Sequence, residues 1–266
     1  MALEPENTGK SDKNSHPILL IVDDNADIRT YMMDHLKDEY RIVSAKDGFE
    51  GLTRARTLVP DLIVSDVMMP NLNGIELCTK IKIDELTSHI PVILLTVRAA
   101  DQSRIEGLET GADDYITKPF DIKELKTRIR NLIRQRRQLK RKFYSEIGLQ
   151  PSNISTNSMD ERFLNKTLSL IEMKMSDPAF GVEELAKDMS ISRVQLYRKI
   201  RAITGQTAVE FMRTVRLTRA AQLLKQKHNN IGQVGYEVGF SNPSYFSSSF
   251  YKQFGMYPTE YIKQAK

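Results

Sequence analysis

Five side chains in the first half of the chain have types and spacing suited to cation and phosphate chemistry. Asp23 and Asp24 follow the apolar run ILLIV, Ile18 to Val22. Asp66 closes DLIVSD and is followed by Val67, Met68, Met69 and Pro70. Thr96 closes VILLT, and Lys118 follows the short run Tyr115, Ile116, Thr117. If the apolar runs are parallel strands, all five groups reach one sheet edge, the C-terminal one, where open α/β sheets place their ligand sites. Asp66 alone would serve equally well as an N-cap, a metal ligand or a nucleophile. In company it means more. Three carboxylates in a partly dry site repel one another, and a hard divalent cation with oxygen ligands relieves the repulsion. Lys118 beside such a cation suits a phosphoryl group arriving on a carboxylate nucleophile.

The elements that must position these groups alternate. IVSA, Ile42 to Ala45, supplies a fifth strand, and helical patterns fall at about 26–37, 49–57, 75–83, 102–110 and 121–133. Strands alternating with helices imply a parallel, doubly wound five-stranded sheet, a flavodoxin-like (βα)5 domain over residues 16–133. Gly48, Gly74 and Gly111 fall at its turns. Residues 1–15 carry no hydrophobic pattern and read as disordered linker. Cys78, the lone cysteine, lies on one face of IELCTKIK and reads as core; its solitude excludes an internal disulfide.

Charge separates the chain into unlike halves. Residues 1–133 carry 17 basic and 23 acidic side chains, a net of −6, whereas 134–266 carry 22 and 11, a net of +11. A basic second half points to nucleic acid. An anionic membrane surface is the rival partner, but it favours bulky interfacial anchors and the chain has no Trp. No apolar run approaches the ~20 residues of a membrane span, and the polar start does not read as a targeting peptide. A cytoplasmic setting is expected.

The helix after Asp121 does not stop where a compact domain would. Ile122, Ile129, Arg136 and Phe143 fall seven apart, as do Leu125, Leu132 and Leu139, and Arg134 to Lys142 (RQRRQLKRK) carry six basic side chains. This basic linker, 134–158, is open to three readings: a solvated helix, a short coiled coil joining two protomers, or a phosphate-contacting arm. Beyond it, 159–266 read as all-α. VEELAKD, the turn MSIS and RVQLYRKIRAI make one helix-turn-helix, whose second helix is expected to expose Arg193, Tyr197, Arg198 and Lys199. A long helix from Gln206 to Lys227 follows, with an outward basic ladder of Arg213, Arg216 and Arg219. Then Ile231 to Val238, the turn GFSN and Pro243 to Phe254 repeat the pattern.

The acidic constellation and GADDYITKPF resemble the receiver domain of two-component response regulators, from about His16 to Arg134. The resemblance implies that Asp66 takes phosphate from a phosphohistidine on a sensor histidine kinase. It further implies that Asp24, Asp66 and the carbonyl of Met68 hold Mg2+, with Asp23 acting through water. Lys118 would pair with the phosphate, and Thr96 and Tyr115 would report its presence. The second half resembles the AraC/XylS DNA-binding domain, on VEELAKDMSISRVQLYRKIRAITG and IGQVGYEVGFSNPSYFSSSFYKQFGMYPTEY. DNA-facing positions carry over to Arg193, Val194, Tyr197 and Arg198, and to Ser244, Ser247, Ser248 and Lys252. The serines depart from the family, where Arg or Gln is frequent. Gly239, Phe240 and Pro258 read as a tight turn, a core anchor and a helix stop.

The order of parts is also similar to the C-terminal end of hybrid two-component sensors of Bacteroides-like bacteria, whose kinase lies upstream on the same chain. The expected function is a phosphorylation-dependent transcription regulator, not an enzyme, that binds double-stranded DNA and forms a homodimer when phosphorylated. Arg104 with Glu124, and Asp114 with Arg134 or Arg136, are the charged pairs such a dimer would use. A dehalogenase-like enzyme would want a second acid two residues after Asp66, where Met68 stands. A protein-binding adaptor is the other alternative.

Overall fold

A computed structural model describes residues 16–97, 111–145, 158–226 and 230–264, with the backbone alone at 139–145 and at Ser158. These residues fall into two compact units. One comprises the chain up to Ile81 with Ile90–Ile133, and the other Lys82–His89 with the chain from Arg134 onward.

The first unit is a five-stranded parallel sheet: β1 Ile18–Val22, β2 Arg41–Ala45, β3 Leu62–Asp66, β4 Val92–Thr96 and β5 Asp114–Thr117, in spatial order 2-1-3-4-5. Helices α1 Ala26–Leu36, α2 Gly48–Leu58 and α3 Gly74–Ile83 link the first four strands. Strand β3 is central and buried at every position, which is why LIVSD reads as a continuous run and not an alternation. Leu20, Ile63, Val92 and Leu94 face one core with Cys78. Leu19, Ile21, Val64, Ile93 and Leu95 face the other. The expected helix at 102–110 and the segment 1–15 lie outside the described residues.

The long helix after β5, α4 Ile122–Ser145, starts within one residue of its predicted place. Its heptad-like spacing has a local cause. Leu125, Ile129 and Ile133 are buried in the core on that face of the sheet, with Ile122 and Leu132 packed beside them. Each such side chain contributes about 1.5–3 kcal/mol, so the apolar stripe is consumed by the domain's own core over its first three turns.

The second unit contains α5 Ser158–Lys174, α6 Val182–Asp188, α7 Arg193–Thr204, α8 Ala208–Lys225, α9 Ile231–Glu237, α10 Pro243–Phe254 and α11 Pro258–Gln264. One core, including Phe163, Leu185, Leu196, Phe211, Leu217, Phe246 and Phe250, holds them. The two helix-turn-helix units turn in the same way. Ser190 and Gly239 both take left-handed backbone, φ 59° and 82°. The next residue donates its N–H five residues back in each unit, Ile191 to Ala186 and Phe240 to Gly235, at 3.0 and 2.9 Å. Any Cβ at Gly239 would run into the carbonyl of Met175. Pro258 does not stop a helix; Gly255, at φ 72°, ends α10, and Pro258 opens α11. Proline's missing N–H is harmless at a first helical turn, which makes it a start signal there. No described helix is long and apolar enough to cross a membrane.

Candidate metal centre and nucleic-acid interface

The parallel register delivers the acids. Val22 of β1 pairs with Ser65 of β3, and Asp66 with Leu95 of β4, so Asp23, Asp66 and Thr96 emerge side by side. Carboxylate oxygens of Asp23, Asp24 and Asp66 lie within 4.8 Å of one another. Asp23 and Asp66 are buried and Asp24 is exposed. The ammonium of Lys118 donates to Asp66 Oδ2 at 2.9 Å and to Asp23 Oδ2 at 3.0 Å. The other oxygen of Asp66, Oδ1, is buried with no hydrogen-bond partner. Gly74 makes this packing possible, since a Cβ there would overlap the carbonyl of Asp66.

Burial raises the pKa of Asp66, and the bond from Lys118 works against that rise. For Lys118, burial works downward, but Asp66 and Asp23 together hold its ammonium above the ordinary value. A buried carboxylate oxygen without a donor is costly. That orphaned Oδ1, with three acids and one cation, fits a site built for a further positive group of oxygen-seeking character such as Mg2+.

In the helical unit, α7 is opened by a capping box in which Ser192 and Gln195 bond each other's backbone. Arg193, Val194, Tyr197 and Arg201 are exposed along one face, with Arg198 half-buried beside them. The hydroxyl of Tyr197 accepts from Arg201 at 2.6 Å. On α10, which has no acidic residue, the exposed line is Ser244, Tyr245, Ser248, Tyr251 and Lys252.

Two family models match the chain: the response regulator receiver domain over residues 19–130 and a helix-turn-helix domain over 185–264. Over 199 residues the chain is 35% identical to the probable transcriptional regulator ycf27 of Guillardia theta, covering 72% of this chain and 76% of that protein. The chain belongs to the two-component response regulators. Its receiver precedes a helix-turn-helix domain, which is the architecture of a two-component transcription regulator. The regulator is also 44% identical over 243 residues to histidine kinase P4 of Formosa agariphila, covering 91% of this chain and 18% of that protein. It is 41% identical over 120 residues to the DNA-binding dual master transcriptional regulator RpaA of Synechocystis, covering 45% and 50%. The chain thus spans a half or less of the length of these two relatives.

The regulator brings together Asp23, Asp24, Asp66, Thr96 and Lys118 as the sequence predicts. Thr96 is buried, Tyr115 half-buried and Met68 exposed. Lys199 does not belong to the outward face. It lies roughly 200° round α7 from Tyr197 and is fully buried, 2.7 Å from the carboxylate of Asp160 and over the ring of Phe163. Burial pushes its ammonium down to about 8 despite the pull of Asp160. Ser247 is half-buried on the flank of α10, off the exposed line. Arg216 is no rung of an outward ladder, because its guanidinium donates inward to the carbonyls of Phe180 at 2.9 Å and Asp177 at 3.1 Å.

Several contributors escaped the sequence reading. Arg29 donates to the carbonyl of Asp23 at 2.7 Å and of Asp24 at 3.1 Å, fixing the acidic turn. Arg128 holds both Asp114, at 3.1 Å, and Glu124, at 3.3 Å, within one chain. Arg104 lies outside the described residues. The i, i+4 spacing of Asn25 and Arg29 after the acids gave no distinctive signal, and Arg128 lies in a helix dense in basic side chains, where nothing singles it out.

Proposed function

We propose that this response regulator takes a phosphoryl group on Asp66 from a phosphohistidine of a sensor histidine kinase, and that the modification controls duplex binding by the helical unit. The observation that carries the reading is the buried, unpartnered Oδ1 of Asp66 beside two further acids and Lys118. In the transfer, the nitrogen–phosphorus bond of the donor breaks as a carboxylate oxygen of Asp66 bonds to phosphorus. The departing imidazole nitrogen keeps the electron pair. Lys118 is placed to neutralise the arriving oxygens without moving far from Asp66. Asp23, Asp24, Asp66 and the carbonyl of Met68 would hold Mg2+. When bound, that ion offsets the carboxylate charge and draws negative charge from the phosphoryl oxygens.

Thr96 stands on the strand next to Asp66, and Tyr115 on the strand beyond it. A phosphoryl group that bonds the Thr96 hydroxyl would draw it inward, and the ring of Tyr115 would follow into the space left. We assign the output to Arg193, Val194, Tyr197 and Arg198 in the first unit, and to Ser244, Ser248 and Lys252 in the second. Arginine with tyrosine on an exposed helix suits phosphates and base edges. Phosphorylated chains are expected to form a homodimer. The hybrid-sensor resemblance allows the kinase to lie upstream on the same polypeptide or on another chain.

Intact-mass measurement after incubation with acetyl phosphate and Mg2+ tests the acceptor. One phosphoryl group per chain is expected, absent in Asp66→Asn and absent with a chelator. Equal labelling of Asp66→Asn would place the acceptor elsewhere.

A further inference from the structure

The two recognition helices differ in reach. In α7 the outward line carries two long arginines, Arg193 and Arg201, beside Val194 and Tyr197, whereas the outward line of α10 is two serines, two tyrosines and a single lysine. Serine hydroxyls are short, so Ser244 and Ser248 are poor probes of base edges deep in a groove. What α10 does present is a composite cation. Arg213 of α8 donates through Nη1 to the hydroxyl of Tyr245, 3.4 Å away. The ring of Tyr245 leans on Phe240 of the preceding turn, centroids 5.9 Å apart, which fixes where its hydroxyl points. Lys252, two turns further along α10, is exposed on the same face of the helix, and its charge acts on that hydroxyl.

A phenol oxygen has one proton and two lone pairs. With Arg213 as donor, one lone pair of the Tyr245 hydroxyl is engaged, and its proton is left to donate outward. One acid, Glu210, feels the charges of both Arg213 and Lys252. Its carboxylate accepts from the backbone and hydroxyl of Thr207, each at 2.9 Å, in the cap of α8.

We propose that Arg213, Tyr245 and Lys252 form a clamp for a backbone phosphate of duplex DNA, so that the second helix-turn-helix unit grips without reading sequence. The clamp rests on the DNA-binding reading above and adds Arg213 and Tyr245 to the Lys252 already assigned there. Tyr245 supplies a neutral donor, and Arg213 and Lys252 supply the charge. The first unit holds a similar pair, Tyr197 with Arg201, but within one helix. In the second unit the pair joins two helices, so docking a phosphate also ties α10 to α8.

The test is fluorescence anisotropy of the full chain on a labelled mixed-sequence duplex across a salt series, repeated on a duplex recovered by selection. Arg213→Gln is expected to weaken binding to both duplexes by the same factor. It should also reduce the slope of log affinity against log salt by about 0.9, the signature of one lost phosphate contact. Tyr245→Phe, which keeps the ring on Phe240, is expected to weaken both duplexes several-fold with the slope almost unchanged. The double variant should lose little more than Arg213→Gln alone, because the two groups serve one phosphate. If Arg198→Ala weakens binding while Arg213→Gln and Tyr245→Phe leave affinity and slope at wild-type values, the clamp is wrong and the DNA-binding reading stands. Loss confined to the selected duplex would equally overturn it, because that is the mark of base readout. If the unaltered chain binds neither duplex at low salt, both readings fall.

Discussion

Lys118 holds the acidic site together. It is the cation bonded to both buried carboxylates, Asp23 and Asp66. Removing one partner of a buried charge cluster strands the others, at a cost of about 3–5 kcal/mol. Lys118→Met is therefore expected to lower the melting temperature of the receiver, and added Mg2+ should restore part of the loss by supplying the missing positive charge. Calorimetry with and without the ion checks this; a variant as stable as the parent, and indifferent to Mg2+, would show that the cluster needs no counter-charge. These residues were legible because each sits at the end of an apolar run, and strand ends are read easily from sequence. Arg29 was not legible. It works through two backbone carbonyls, and carbonyl acceptors exist at every position, so no residue type marks them.

At the scale of elements, α7 illustrates what a helical face can and cannot reveal. Its outward side, Arg193, Tyr197 and Arg201, follows from spacing once Leu196, Ile200 and Ile203 are taken as core. Lys199 breaks that rule because Asp160, 39 residues earlier on α5, provides a buried counter-charge. No local pattern announces such a distant pair. Lys199→Met is expected to destabilise the helical unit by about 3–5 kcal/mol, since Asp160 is left charged and dry. Adding Asp160→Leu should recover most of that loss, which urea denaturation of both variants would measure; a double variant as weak as the single one would refute the account. The turn of the second unit is equally demanding. Gly239→Ala places a Cβ against the Met175 carbonyl at a left-handed φ and should cost well over about 1 kcal/mol. The heptad in α4 gives the reverse lesson: a spacing that suits a coiled coil also suits a helix lying on its own sheet, which is where Leu125, Ile129 and Ile133 are buried; the side chains of Leu139 and Phe143 lie outside the described residues.

For the whole molecule, the charge asymmetry is the feature that survives every detail. A net of +11 on residues 134–266 predicts steep loss of duplex affinity with added salt, and each phosphate contact contributes about 0.9 to the slope. The fold class and both helix-turn-helix units were visible in the sequence because each rests on periodicity and turn residues. Oligomeric state was less visible. Asp114 and Glu124, which looked available to a partner chain, are both taken by Arg128 of the same chain. The proposed dimer would draw on the same two acids and so compete with Arg128 for them. Sedimentation with beryllofluoride and Mg2+ is expected to shift the full chain from monomer to dimer, and an unchanged monomer would remove dimer formation from the mechanism.

The central claim is that chemistry at Asp66 governs the grip of the helical unit on DNA. The direct measurement is duplex affinity of the full chain and of Asp66→Asn, each with and without acetyl phosphate and Mg2+. The account predicts that the phosphodonor changes the affinity of the parent chain severalfold and leaves Asp66→Asn unmoved. A parent chain indifferent to the donor, or an Asp66→Asn variant that responds as fully, would contradict it.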